Sequence, residues 1–235
     1  MAKTESTLKN MLMTLLVIAI ISGTSLGFVY KLTKDPIDQS KLAKQQSAIK
    51  EVVPEFNNDP AAEVDTFVTE SGLNLKIFHA KKDGVEVGLA IETITNKGFS
   101  GEIKIMVGFL PDGSILNYRV LNHHETPGLG SKMDEWFRPA KATVNQNEAS
   151  KPSFFKWLFG IKSGTGGDKS IIAKTPGKNN LRVSKDGGEI DAITAATISS
   201  RAFLDAVDNA RMAYLSQKTK ETESVTQTPQ EIVHE

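Results

Sequence analysis

Gly101-Glu102-Ile103-Lys104-Ile105-Met106-Val107 alternates polar and apolar side chains. A period of two is the pattern of an antiparallel strand with one face in a core and the other near water. Working outward, the strand extends over residues 102–110, and residues 74–79, 85–95 and 115–121 also read as strand-like pieces. Lys82-Asp83-Gly84 and Pro111-Asp112-Gly113 fall between them as hairpin turns. Residues 181–184 and 189–192 predict a last hairpin around Asp186-Gly187-Gly188. From Ile198 to Ser216 the period lengthens to that of a helix, with Phe203, Val207, Ala210 and Tyr214 on one face. The expected class is α+β, an antiparallel sheet flanked by helices.

Two segments interrupt this pattern. Residues 140–178 are rich in Lys, Ser, Gly and Asn and read as a loop-rich excursion. Inside it, Phe154-Phe155-Lys156-Trp157-Leu158-Phe159 is a dense apolar cluster. It reads as a core plug, or as a docking element for a partner or the bilayer surface. From Gln217 the chain is polar, has little to bury and is expected to be disordered.

Residues 11–30, MLMTLLVIAIISGTSLGFVY, are twenty residues without a charge. At ~1.5 Å per residue they span the ~30 Å hydrocarbon layer of a bilayer. A cleaved signal peptide has a shorter apolar region, ~7–15 residues, and an Ala-x-Ala-like site. The longer run without such a site favours an uncleaved anchor, although Gly23-Thr24-Ser25 leaves cleavage open. Gly23, Ser25 and Gly27 allow a neighbouring membrane helix to approach closely, or merely dilute the hydrophobicity. Lys3 and Lys9 precede the span and Lys31 and Lys34 follow it, so local charge does not orient it. Asp35 as N-cap and Pro36 at the first helical position predict a second helix, which Pro54 ends. The expected organisation is a tail at 1–10, a membrane helix at 11–30, a linker helix at 31–54, a domain at 55–216 and a tail at 217–235.

The 28 basic and 28 acidic side chains leave no net charge to attract nucleic acid. There is no cysteine, which excludes iron–sulfur clusters, thiolate zinc sites, disulfides and acylation at cysteine. His79, His123, His124 and His234 are too scattered for an obvious metal cage. His123 and His124 are adjacent at a strand end and point to opposite faces, so they do not suit one ion.

Two motifs carry chemistry. His123-His124-Glu125-Thr126-Pro127-Gly128-Leu129-Gly130 imposes a tight backbone path. Such a loop either brings N–H groups close to a ligand or is an ordinary turn. Asp191-Ala192-Ile193-Thr194-Ala195-Ala196-Thr197-Ile198-Ser199-Ser200 puts hydroxyls and small residues just before a helix. There a phosphate meets free N–H groups and the positive end of the dipole, or the hydroxyls simply cap the helix.

Asp191-x-x-Thr194-Ala195-Ala196-Thr197 resembles the flavinylation signal Asp-x-x-(Ser/Thr)-Gly-Ala-(Thr/Ser), which is read by the transferase that attaches FMN from FAD. Glu125-Thr126-Pro127-Gly128-Leu129-Gly130 resembles the second signature of the same FMN-binding domain. Lys97-Gly98-Phe99-Ser100-Gly101-Glu102-Ile103 and Lys185-Asp186-Gly187-Gly188 also look like family features. Four motifs in order behind a membrane span resemble the RnfG family, the G subunits of Rnf ion-translocating electron transport complexes. The alternative is the related family of C subunits of the sodium-translocating NADH:quinone reductase; Lys-Asp-Gly-Gly and His-x-Glu-Thr-Pro favour the Rnf subunit.

The resemblance implies FMN joined through its phosphate to Thr197, with Thr194, Ala196, Ile198, Ser199, Glu125, Thr126, Gly128 and Leu129 around it. It implies that Asp191, Thr194, Ala196 and Thr197 are recognised by a flavin transferase, and that the 126–130 loop lies over the flavin or its phosphate. It further implies an inner-membrane protein with its domain on the periplasmic side, passing electrons among other membrane subunits while the complex moves Na⁺ or H⁺. Such a component is not a catalyst alone, and no Gly-x-Gly-x-x-Gly fingerprint for NADH follows a strand. A membrane-tethered flavin sensor and an adaptor without cofactor are the competing readings. One position departs from the family pattern: Ala195 stands where Gly is usual. If a positive φ is needed there, Ala carries a steric penalty and also crowds the transferase.

Overall fold

A computed structural model describes residues 7–139 and 168–226. The cluster at 154–159 and the chain beyond Thr226 lie outside the described residues. Two compact units are present, Met1–Gln45 and Gln46–Glu235.

Helix α1 (Leu8–Val52) fills the first unit, and its last turns, from Gln46, belong to the second. Its N-terminal part is long and apolar enough to cross a membrane, and Leu12, Leu15, Ile18 and Ile21 are all exposed. The hydroxyls of Thr14 and Thr33 donate to the carbonyls of Asn10 and Val29, four residues earlier, at 2.8 and 2.9 Å, and Thr24 does the same to Ile20. These bonds satisfy the threonine hydroxyls within the helix itself. Pro36 lies inside α1 rather than opening a second helix. Its missing N–H removes one backbone bond, and the good helix formers that follow it (Lys41, Leu42, Ala43, Lys44) carry the helix on.

The second unit is built on a five-stranded antiparallel sheet of β1 (Val64–Val68), β2 (Asn74–Lys82), β3 (Val85–Gly98), β4 (Gly101–Phe109) and β5 (Ile115–His123). Spatial order equals chain order, β1-β2-β3-β4-β5. The β2–β3 turn places Asp83 and Gly84 at φ 52° and 82° between paired Lys82 and Val85. Two consecutive positive φ values define the type I′ turn that matches strand twist. Strand β1 is absent from the sequence reading because Val-Asp-Thr-Phe-Val is short and, as an edge strand, largely exposed.

Alternation along the strands feeds two cores. Leu75, Ile77, Leu89, Ile91, Ile103, Ile105 and Tyr118 face helix α3 (Thr197–Thr226) through Phe203, Ala206, Val207 and Ala210. Phe78, Ala80, Ala90 and Met106 face the other way, onto Ala48, Ile49 and Val52 at the end of α1. Each large apolar side chain so buried stabilises the domain by about 1.5–3 kcal/mol before entropy is counted. A short α2 (Met133–Trp136) follows the 126–130 loop.

Two further expectations are corrected. The hairpin expected at 181–192 is instead one turn of 3-10 helix, Ser184–Asp186, closed by a single parallel bridge between Val183 and Ile190. The backbone of Arg182 presses so closely on Gly188 that a Cβ there would lie 2.0 Å from its carbonyl oxygen, and the tight loop leaves no room for an antiparallel ladder. Helix α3 also continues past Ser216 to Thr226. Gln217 is buried and donates to Asp65 at 2.8 Å, so its polar side chain is spent on tying the helix to β1.

Candidate functional site at the tip of helix α3

The segment before α3 turns sharply. Ala195 has φ 62°, the left-handed region that an L side chain enters only at a cost of about 1–2 kcal/mol. The turn is closed by Ala196 N–H donating to Ile193 O at 3.0 Å. Ser200 braces it: its hydroxyl accepts from Ile193 N–H at 2.9 Å and donates to Ala196 O at 2.9 Å. The first helical bond is Ser200 N–H to Ala196 O, 3.0 Å. The amides of Thr197, Ile198 and Ser199 therefore have no acceptor among the described residues, as expected of a helix start. Thr197 is half-buried, Ile198, Thr194 and Ala195 are exposed, and Ala196 is buried.

The first motif reaches this tip through one side chain. Glu125, only 5 % exposed, accepts the Ser199 hydroxyl on Oε2 at 2.6 Å and the Ser100 amide on Oε1 at 3.2 Å. Its own amide donates to Nδ1 of His123 at 3.2 Å. Gly130 packs on the same group: a Cβ there would lie 2.6 Å from Ser199 Oγ and 2.7 Å from Glu125 Oε2. Thr126, Pro127, Gly128 and Leu129 are exposed beside it.

The other two motifs also converge on α3. Lys97 pairs with Asp205 at 2.7 Å, and Thr95 donates to the same carboxylate at 2.8 Å. Asp186 takes Arg201 fork to fork, with both bonds at 2.7 Å, and this cation holds its carboxyl below the usual range. Asp191 accepts the Ser184 hydroxyl at 3.1 Å, and its carbonyl accepts the indole N–H of Trp136 at 2.9 Å. Segments far apart in the chain thus fix the first turns of one helix.

A groove of about 960 Å³ runs along α3 from Ile198, between Arg201, Asp205 and Arg211 on the helix and Gly177, Asn180 and Arg182 opposite. It is not lined by the 126–130 loop. Ile198 lines the groove and Ser199 meets Glu125; successive helical residues point about 100° apart, which separates the two contacts. Nothing in the local pattern of residues 176–182 marks them as a groove wall, so sequence reasoning missed it. The Arg201–Asp186 and Lys97–Asp205 pairs were equally invisible, since opposite charges so far apart give no signal in a single chain.

Comparison with known proteins bears directly on this arrangement. Residues 98–211 match the FMN-binding domain, and residues 1–52 match the RnfG N-terminal region. Over 210 residues the chain is 31 % identical to the G subunit of the ion-translocating oxidoreductase complex of Vibrio cholerae serotype O1, covering 86 % of this chain and 88 % of that one. The chain belongs to the RnfG family. Members of the same name from Vibrio parahaemolyticus (34 % over 214 residues, 88 % and 90 % covered) and Haemophilus influenzae (30 % over 203 residues, 85 % and 86 % covered) are similar to it over the same extent. The FMN-binding match runs from the β3–β4 hairpin to Arg211, so it holds Glu125, Asp186, Ser199 and the helix tip together.

Proposed function

We propose that this protein is a membrane-anchored electron-transfer subunit of an ion-translocating complex, carrying FMN joined through its phosphate to Oγ1 of Thr197. The observation that supports it most is the helix tip. A threonine hydroxyl stands after a left-handed turn, beside three amides with no acceptor among the described residues and next to a groove. The volume of that groove falls within the usual 300–1,000 Å³ of small-molecule sites.

Attachment by a flavin transferase exchanges the Thr197 O–H bond for an O–P bond to the FMN phosphoryl group of FAD. The pyrophosphate bond breaks, and AMP leaves with the hydroxyl proton. The phosphodiester keeps one negative charge. The N–H groups of Thr197, Ile198 and Ser199 and the helix dipole favour that charge by about 0.3–1 kcal/mol where it is exposed. When bound, FMN supplies reversible electron transfer, and the protein contributes binding, orientation and local electrostatics. Ile198 offers an apolar contact in the groove, and Lys178 and Arg182 bring positive charge to its wall, while Arg201 and Lys97 there are offset by Asp186 and Asp205. Asp191 and Thr194, on the approach to Thr197, serve recognition by the transferase. Thr126, Gly128 and Leu129 flank the tip on the Glu125 side.

In this reading α1 holds the domain at the inner membrane on its periplasmic side, and the partners are the other membrane components of the complex. Covalent attachment suits that compartment, where a dissociated flavin is diluted and not replaced. The test is the full chain co-expressed with a flavin transferase, followed by intact mass and in-gel flavin fluorescence. FMN addition that disappears in Thr197→Val and persists in Thr194→Val supports the assignment. Fluorescence retained in Thr197→Val overturns the choice of residue, and a colourless parent chain of unmodified mass from its own host overturns the function.

A further inference from the structure

Glu125 is a buried carboxylate with no Lys, Arg or His partner among the described residues. Burying such a group is costly, and an apolar side chain of similar size is often at least as stabilising. The geometry supplies a reason for it. Its two oxygens face two different segments, the β3–β4 hairpin through Ser100 N–H and the first turn of α3 through Ser199 O–H. Gly98 and Gly130 close on it from either side; a Cβ on either would come within 2.7 Å of one of its oxygens. Its charge also lies at the N-terminal end of α3, where the helix dipole favours it.

We infer that Glu125 is a positioning residue rather than a contact of the cofactor. It acts through Ser199 to fix the α3 tip, and with it the Thr197 hydroxyl, against the hairpin and the 126–130 loop. The inference rests on the reading that Thr197 bears the flavin. A glutamine at this position keeps the geometry: its carbonyl accepts from Ser100 N–H while its NH₂ donates to Ser199 Oγ, whose hydroxyl accepts in turn. Alanine keeps neither bond.

The experiment compares the full-length parent, Glu125→Ala, Glu125→Gln and Ser199→Ala in detergent after co-expression with a flavin transferase. Two quantities are read: visible-region circular dichroism of the attached flavin, and hydrogen exchange of the Ser200 amide in unmodified protein. Glu125→Ala and Ser199→Ala are expected to lose the visible dichroism while still folding. Their Ser200 exchange should rise about tenfold, the factor that ~1.4 kcal/mol of lost bonding gives. Glu125→Gln should match the parent in both. Parent-like dichroism and exchange in Glu125→Ala overturn the inference, as does a Gln variant that behaves like Ala. If Glu125→Ala does not fold, Ser199→Ala decides the same question from the other side of the bond. If the parent takes no flavin, the function assigned to Thr197 fails, while the exchange rates still decide whether Glu125 holds the tip.

Discussion

Phe203 on α3 stacks on Phe137 just after α2, with ring centroids 4.4 Å apart and planes 13° from parallel. Tyr118 of β5 packs against Phe203 edge-to-face, with ring centroids 5.0 Å apart, and its hydroxyl donates to Met133 O at 2.7 Å. This buried aromatic trio joins the helix that carries Thr197 to the segment that follows the 126–130 loop.

Phe203→Ala should therefore cost about 3–5 kcal/mol, the range for removing a buried aromatic ring. Chemical denaturation of the full chain in detergent, followed by tryptophan fluorescence, measures it. A loss well under 1 kcal/mol would show that the trio does not hold the two segments together.

Ala195 gives a prediction with opposing terms. Replacement by Gly relieves about 1–2 kcal/mol of left-handed strain but adds about 0.4–1 kcal/mol of unfolded-chain entropy. Ala195→Gly should raise stability slightly and leave flavin attachment at least as complete. Ala195→Val, β-branched in the same region, should destabilise. A thermal midpoint that falls for Gly and holds for Val contradicts the assigned turn.

Gly130→Ala introduces a methyl 2.6 Å from Ser199 Oγ. Overpacking of this kind costs about 1–3 kcal/mol. The variant should show a lower denaturation midpoint and reduced flavin attachment, read by intact mass. Unchanged values for both would mean that the loop yields without disturbing the helix tip.

The pH dependence should come from the sheet edge far along α3. His79 lies 2.9 Å from Glu86 and 3.3 Å from Asp65, with Gln217 and Lys218 of α3 over the same carboxylates. The Glu86 hydrogen bond raises the imidazole pKa above 6.5, burial opposes it, and Asp65 adds to the rise. A raised folded pKa means that this stabilisation is complete below 6.5 and is lost as pH climbs through the folded value. For Glu86, burial pushes upward, but the bonds from His79 and Lys218 override it and hold the pKa below 4.5. Its share is complete above 4.5 and is lost as pH falls through the depressed value. Urea midpoints should peak between these limits, and His79→Gln should abolish the fall on the alkaline side.

The parts of the fold legible in the sequence were those written in local chemistry. Alternation marks β4, strand-like composition between turns marks β2, β3 and β5, Asp83-Gly84 marks its turn, and the apolar stripe of Phe203, Val207, Ala210 and Tyr214 marks the buried face of α3. The end of α3 is not legible in the sequence because Gln217 and Lys218 look solvated until Asp65 and Glu86 are placed beside them. The Asp35-Pro36 pair has the chemistry of a helix start, yet the helix continues through it. At the site, the motifs were visible as separate words. The bond from Ser199 to Glu125, 74 residues away, and the groove wall at 176–182 depend on tertiary contact and left no local mark.

The order of the sheet has a bearing on how the domain is made. Each strand pairs with its immediate predecessor, so the whole meander can zip up as the polypeptide emerges, with short loops to close. The lid of the core arrives much later: the Thr93 hydroxyl waits for the carbonyl of Ala206, 113 positions on. Until that lid docks, one apolar surface of the nascent meander stands uncovered and prone to self-association.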